Sequence, residues 1–480
     1  MVLKKMNSTA RGSFVLLTLV FSAVFLTLIT SLSGYIFIEK RAQLAKENLE
    51  KSLHIAEAGL NYYRWRLAHF PGDITDGTGN PGPYVHTFSD PEEGTIGSFS
   101  LEISGQTFCG VTSGISITST GWTNADPSLK RSVRAVYTRP SVAEYSHIVD
   151  ANVWAGSDRI ISGPYHSNGG VRMDGTHNST VSSGVSSWYC SSSFGCSPQQ
   201  NQPGVFGSGS NPELWSYPTT PVDFGGITVD LAELRQYAID DGVFIENSNR
   251  FGWRVVFNGD GTFDVRKVQS ATKVWEYSTE DGWQQERRIV GNQQSATTYS
   301  IPADCPVVFI EDDIWVEGVV SGKVILASAD VTNPGVDHSV VLSGNITYAN
   351  ESGDGITIIG EENVLIGIDV PNEMTIQGVF IAQKGRFGRN HYCDYDCSST
   401  KGNQSVPGSL DEYVTRSTLN TIGTVVSKER VGTKWTSGGA FLSGFNQRND
   451  SFDKALADSP PPFTPYVSED YLFRSWREVN

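Results

Sequence analysis

Hydrophobic positions follow two regimes along this chain, helical at the start and β thereafter. From Phe14 to Ile38 there are 25 residues without a charge. Wound as a helix they span roughly 37 Å, more than the hydrocarbon core of a bilayer at about 30 Å. A single membrane pass is the expectation. Lys4, Lys5 and Arg11 precede this run and the first acid is Glu39. That asymmetry keeps the short basic end in the cytoplasm and puts the rest of the chain outside. A removable secretory signal has a shorter apolar core and a small-residue cleavage site after it, and no such site follows Ile38. The helical pattern then continues: Leu49, Leu53, Ala56, Leu60, Tyr63, Leu67 and Phe70 recur at alternating spacings of four and three, one apolar stripe on a helix. Pro71-Gly72 ends it. One helix over 13–70, roughly 87 Å long, is predicted. Its stripe has two possible uses: packing on the chain's own head, or forming an assembly face for neighbouring helices.

Two short motifs sit on this helix. A basic leader, 1–12, ends in Arg11-Gly12 directly before the apolar run. Further on stands Ile55-Ala56-Glu57-Ala58-Gly59-Leu60. Leader and apolar helix together resemble a type IV prepilin, and the second segment resembles minor pilins of the PilX and pseudopilin K type. The resemblance implies cleavage by a prepilin peptidase between Gly12 and Ser13, storage of the helix in the membrane, and assembly with other pilin-like subunits. One position departs from the pattern. Most pilins carry Glu at the fifth mature position, where this chain has Leu17. Tip-located subunits of the K type also lack that Glu, and so does a plain signal anchor that is never cut.

Past the helix, the period changes to two. Residues 71–95, rich in Gly, Pro, Asp and Thr, read as a loop. Phe99, Leu101 and Ile103, then Ile115 and Ile117, then Val133, Ala135 and Tyr137 alternate as half-buried strands do. Ser119-Thr120-Gly121 followed by Lys130-Arg131-Ser132-Val133 is similar to the closing strands of a small pilin head, giving a β region over 71–140. From about 141 apolar segments shorten and turns multiply. Val307–Ile310, Ile314–Val316, Val324–Leu326, Ile356–Ile359, Val364–Ile368 and Met374–Ala382 are Val- and Ile-rich, and no hairpin signal joins most of them. A mainly β protein with one long N-terminal helix is predicted, its 141–400 region an irregular right-handed β-solenoid, with a β-sandwich the alternative. Gly163-Pro164-Tyr165-His166-Ser167-Asn168-Gly169 resembles a motif of bacterial surface proteins with a pilin-like N-terminus and a repetitive β domain. An insertion is expected at about 185–300. It holds a helix capped at Asp230 and a hairpin turning at Asn258-Gly259. Over 401–480, Asn420–Ser427 reads as a last rung, followed by a Pro- and aromatic-rich tail that docks on the body.

Composition narrows the function. The chain has 480 residues, 38% of them hydrophobic, with 49 Gly and a formal charge of −16. Several units are implied, and so acidic a surface disfavours direct nucleic-acid binding. Six cysteines all follow the membrane run, and an even number in an exported chain suggests disulfides. Fifteen connectivities are possible; Cys190–Cys196, Cys393–Cys397 and Cys109–Cys305 are the expected set. His391, Cys393, Asp396 and Cys397 have zinc-ligand chemistry, but no second cluster accompanies them, so the disulfide reading is preferred. Asn258, Asp260 and Asp264 read as a turn rather than a calcium loop, because the twelfth-position Glu is missing. Asp312-Asp313 and Glu361-Glu362 read as solvated turns, and His166 as a turn residue. No nucleophile elbow, zinc-protease, P-loop or dinucleotide motif is present. The expectation is therefore a non-enzymatic, cofactor-free minor or tip subunit of a type IV pilus or related filament, with a surface or glycan ligand possible. An uncleaved membrane-anchored adhesin is the alternative, and a carbohydrate-active solenoid enzyme the second.

Overall fold

A computed structural model describes residues 10–70, 73–92, 94–227, 229–333, 335–394, 404–468 and 470–479. The chain divides into two compact units. The smaller comprises residues 1–105, 115–137 and 473–480, and the larger 106–114 and 138–472.

The smaller unit is the long helix α1 (Ala10–His69) with an antiparallel sheet of β1 (Tyr84–Asp90), β2 (Gly94–Phe108), β3 (Val111–Thr123) and β4 (Lys130–Thr138). The C-terminal strand Leu472–Val479 adds beside β4. At 60 residues, α1 is about 90 Å long. Its lower half lays Ile55, Ala56, Leu60, Tyr63 and Leu67 onto Phe99, Leu101, Ile115, Ile117, Val133 and Ala135, each large apolar side chain contributing about 1.5–3 kcal/mol by leaving water. The expected strands are all there. Two expectations need correction. Residues 71–95 are not all loop, because Tyr84, His86 and Phe88 alternate inward as β1. And Ala56, Leu60, Tyr63 and Leu67 are covered by the chain's own sheet, with Leu53 packed at its margin and Leu49 half-buried. That part of the stripe is intramolecular core and offers no face to a neighbouring helix. Phe70, its last member, is exposed.

Small residues set how deeply the helix sits. A Cβ on Gly59 would lie 2.2 Å from Ser119 Oγ, and one on Gly121 would lie 2.3 Å from Ser52 O and 2.5 Å from Ala56 N. Helix backbone therefore rests directly on sheet backbone, pinned where Ser52 Oγ donates to Leu129 O at 2.9 Å.

In the larger unit, strands far apart in sequence pair in parallel and in register. Val307–Ile310 pairs with Lys323–Ser328, which pairs with Gly355–Gly360, then Glu373–Ala382, then Thr415–Ser427. A second face runs Trp253–Asn258, Ile314–Val320, Val340–Tyr348, Val364–Ile366, Phe387–Gly388. Successive turns of a β-solenoid pair this way; the antiparallel faces of a sandwich do not. The interior is Val, Ile, Leu and Phe, nearly all fully buried. Corners inside long strands fall at glycine. Gly378 and Gly423 pair across the ladder with φ of +146° and +121°. A Cβ on Gly423 would sit 2.1 Å from Gly378 O, so only glycine fits.

The order of turns differs from the order of sequence. Going outward from Thr415–Ser427, the next strand is His147–Val149, then Tyr165–Ser167, Val181–Ser183 and Trp215–Ser216. The chain thus lays its first turns outward from mid-stack. It crosses through α2 (Leu231–Asp240, capped by Asp230 as expected) to the other end, and builds back at Val243–Ile245. Two boundaries move accordingly. Residues 243–258 are solenoid turn, not insertion. Asn420–Ser427 is not a last rung, because it is paired on both sides.

At this seam two charge pairs cross reciprocally. Arg159, from the early turns, donates to Asp450, from the late ones, with Nη2 3.3 Å from Oδ1. Arg448 donates to both oxygens of Asp158 at 2.8 and 3.0 Å. Arg159 Nη2 also lies 2.8 Å from Nε2 of His147, whose burial beside two arginines lowers its pKa to about 3. His147 is therefore neutral and accepts. Attraction to Arg159 lowers the Asp450 pKa in spite of burial.

Three outcomes are expected. Gly121→Val, which drives a side chain into helix backbone, should cost about 1–3 kcal/mol, read as a lower midpoint in chemical unfolding of the detergent-solubilised protein. Asp450→Ala strands a buried guanidinium and should cost about 3–5 kcal/mol in the same measurement, with Asp450→Asn costing less. The third concerns acid. His147 has a depressed native pKa, so its contribution is complete above the unfolded value near 6.5 and is lost as pH falls toward 3. Stability should decline across pH 6–4 by about 1.4 kcal/mol per unit on its account, and the decline should be shallower by that amount in His147→Gln.

Candidate functional site

The upper half of α1 is the first candidate. Between Phe14 and Ile38 every large apolar side chain is exposed, from 47% at Ile29 to 77% at Phe37. The helix is long and apolar enough to cross a membrane. It carries no acid in its first turn, and Thr18, Thr27 and Thr30 return their hydroxyls to backbone carbonyls three or four residues earlier, which hides their polarity from lipid. Gly12 and Ser13 lie within the helical backbone, and their side chains lie outside the description. Leu17, at the position where most pilins carry Glu, is exposed with its neighbours.

The second candidate is a pair of adjoining recesses on the larger unit, sharing Arg386 and Asn390. A hairpin of Ala271–Ser278 and Gly282–Val290 forms one wall. It is held to the solenoid where Tyr277 bridges His391 and where Trp315 Nε1 donates to Arg288 O at 3.0 Å. One recess, about 270 Å³, collects Asp281, Glu286, Asp313, Asp337 and Glu362 around Arg288 and Arg386. Glu276 at its base is satisfied: Arg288, Asn390 and Tyr392 all donate to it. Glu362 is not so served. Burial, then the charge of Asp337 and Glu429, pushes its pKa up. The other recess, about 360 Å³, is lined by Trp154, Tyr277 and Trp435 with Arg430, Lys434 and Asn390. Tyr277 meets Trp435 edge-on at 5.7 Å, and Trp435 Nε1 donates to Arg389 O at 2.8 Å, so the rings are fixed in place.

The chemistry expected from sequence distributes as follows. Cys109 and Cys305 are bonded, as are Cys190 and Cys196. Cys109, at the end of the β2–β3 hairpin, belongs to the larger unit, so this bond lies inside one unit rather than joining two. Cys393 is disulfide-bonded; Cys397 and Asp396 lie outside the described residues. His391 is buried with Nδ1 2.6 Å from Ser443 Oγ, and burial lowers its pKa to about 4. Asp260 Oδ1 accepts from the amide and hydroxyl of Thr262, and Asp264 from Thr298 Oγ1, so the Asn258–Asp264 segment is a self-satisfied turn. Among the described residues, no group of three or more His, Cys, Asp or Glu could hold a metal ion. His166 is a buried strand residue rather than a turn residue, between Ser182 and Asn168. The acidic pairs do lie in bends between strands, but only the second member of each is open to solvent. Asp312 and Glu361 are buried, and Asp313 and Glu362 line the acidic recess. The aromatic recess went unread because its residues come from segments 154, 277, 390 and 430–435, brought together only by stacking of turns. A local signal existed in Val431-Gly432-Thr433-Lys434-Trp435, inside the 401–480 stretch read only as a last rung and a tail.

No family model and no curated protein matches the chain. Among solved structures, the chain is similar to the crystal structure of competence-associated pilin ComZ from Thermus thermophilus, at 11% identity and a TM-score of 0.32, over 90% of this chain and 98% of that one. At that score the likeness bears no weight for the assignment of this chain.

Proposed function

We propose that this is a membrane-anchored, exported pilin-like protein whose N-terminal helix enters a type IV pilus or related filament as a minor or tip subunit, with the β-rich units displayed outward. The observation that carries the reading is the division of one unbroken helix. Its lower half is consumed by its own sheet, while its upper half is apolar on every side. A helix apolar all round needs lipid or other helices around it, and a filament core supplies the second after the bilayer has supplied the first. The Arg11-Gly12 leader and the Ala56–Gly59 segment support the pilin form of this reading, and Leu17 favours a tip position over a shaft position. We read the protein as working by packing and display rather than by catalysis, with prepilin peptidase and other pilin-like subunits as its partners. N-terminus inside and head outside follows from Lys4, Lys5 and Arg11. The second reading is an adhesin on a permanent anchor, which the same exposed helix equally serves.

Mass spectrometry of protein expressed with a prepilin peptidase separates the two. The expected mature N-terminus is Ser13, with Gly12→Leu abolishing the shift. An intact N-terminus that keeps Lys4, Lys5 and Arg11 would overturn the pilin assignment and leave the anchored adhesin.

A further inference from the structure

We infer that the aromatic recess beside Arg430 binds an oligosaccharide bearing carboxylate groups. This deepens the outward-display part of the proposal above by naming a ligand for it, and does not depend on whether the helix is cut. Three observations converge. The recess, about 360 Å³, is within the usual range for a small-molecule site. Trp154, Tyr277 and Trp435 line it half-buried, and indole and phenol faces pack against the C–H faces of sugar rings while Asn390 and Thr436 offer hydrogen bonds to hydroxyls. Arg430 supplies the charge selection. It is half-buried and has no ion-pair partner among the described residues. It donates to Ser193 O at 3.0 Å and lies 4.3 Å over the Phe194 ring. A guanidinium has five N–H donors in a fork that matches a carboxylate, so most of its capacity is unspent. Burial lowers its pKa, a cost that Glu280 in the recess lining offsets only in part and that a bound anion would relieve further. Lys434, 3.6 Å from Asp158, adds a second and partly compensated cation.

The neighbouring acidic recess restricts the ligand class. Glu280 already lines the aromatic recess, and beyond the shared Arg386 the carboxylates multiply, so a continuous polyphosphate would run from attraction into repulsion. A saccharide carries its charges singly, and neutral hydroxyls suit the boundary.

The test titrates the full chain in detergent at 150 mM salt, following tryptophan fluorescence and calorimetry. The probes are hexagalacturonate, the neutral cellohexaose and a single-stranded oligonucleotide. Saturable binding of hexagalacturonate is expected, with cellohexaose about tenfold weaker or worse and the oligonucleotide failing to compete. Arg430→Gln should weaken the uronate about tenfold while leaving cellohexaose unchanged. Should that variant misfold by circular dichroism, Arg430→Lys, which keeps charge but loses the fork, should give an intermediate loss. Equal affinity for both sugars, uronate binding indifferent to position 430, effective competition by the oligonucleotide, or no saturable binding of either sugar would each overturn the assignment.

Discussion

A turn of parallel β-structure cannot satisfy its own backbone. Every amide and carbonyl along its edges needs another turn above and below. In this chain that requirement is met at the centre of the stack by residues nearly three hundred positions apart: Val425, Val426 and Ser427 pair with His147, Ile148 and Val149. The rest of the larger unit depends on this seam. Without it, two shorter stacks would each expose an edge of bare amides beside a Val- and Ile-rich interior. The charges at the seam follow the same logic. Arg159–Asp450 and Arg448–Asp158 each place one partner on either side. Buried pairs of this kind add little net stability over apolar packing but penalise any register that separates them. They specify how the two stacks meet more than how tightly.

The helix obeys a different constraint, and the boundary between its halves is sharp. Below, Ala56, Gly59 and Gly121 remove side chains where helix and sheet backbones meet, so the Ala-Glu-Ala-Gly-Leu segment has a packing reason independent of any resemblance. Above, nothing among the described residues covers Phe14 to Ile38. Folding is thus complete in one half, while the other is stable only in lipid or among other helices.

Much of this was legible, because it rests on local periodicity. The helix, the strands at Phe99, Ile115 and Val133, the Asp230 cap and the Asn258-Gly259 hairpin are each written in residues within a few positions of one another. What escaped was non-local. Sequence cannot say that strand 147–149 lies beside 425–427, because both are short, apolar and interchangeable with a dozen others. The stripe at Ala56–Leu67 has the same spacing whether it meets a sheet or a neighbouring helix, and only the sheet's inward residues decide. Asp313 and Glu362 read as turn residues because each does lie in the short bend between two strands; that both face one recess follows from the stacking of turns.

The seam and the aromatic recess turn out to be one feature. Trp154 and Ser192 come from the early segments, whereas Asn390, Arg430 and Trp435 come from the late ones and Tyr277 from the hairpin docked on them. Neither stack alone has the recess; it exists where they abut. Arg430 follows the late strand at the seam, Thr415–Ser427, within three residues, and its hydrogen bond crosses to Ser193. Returning the chain to its own middle therefore does two things at once. It removes two exposed edges, and it brings a guanidinium from the end of the fold to an indole ring, Trp154, from its beginning. A solenoid wound in simple sequence order would have its ends free and no such meeting of distant segments along its side.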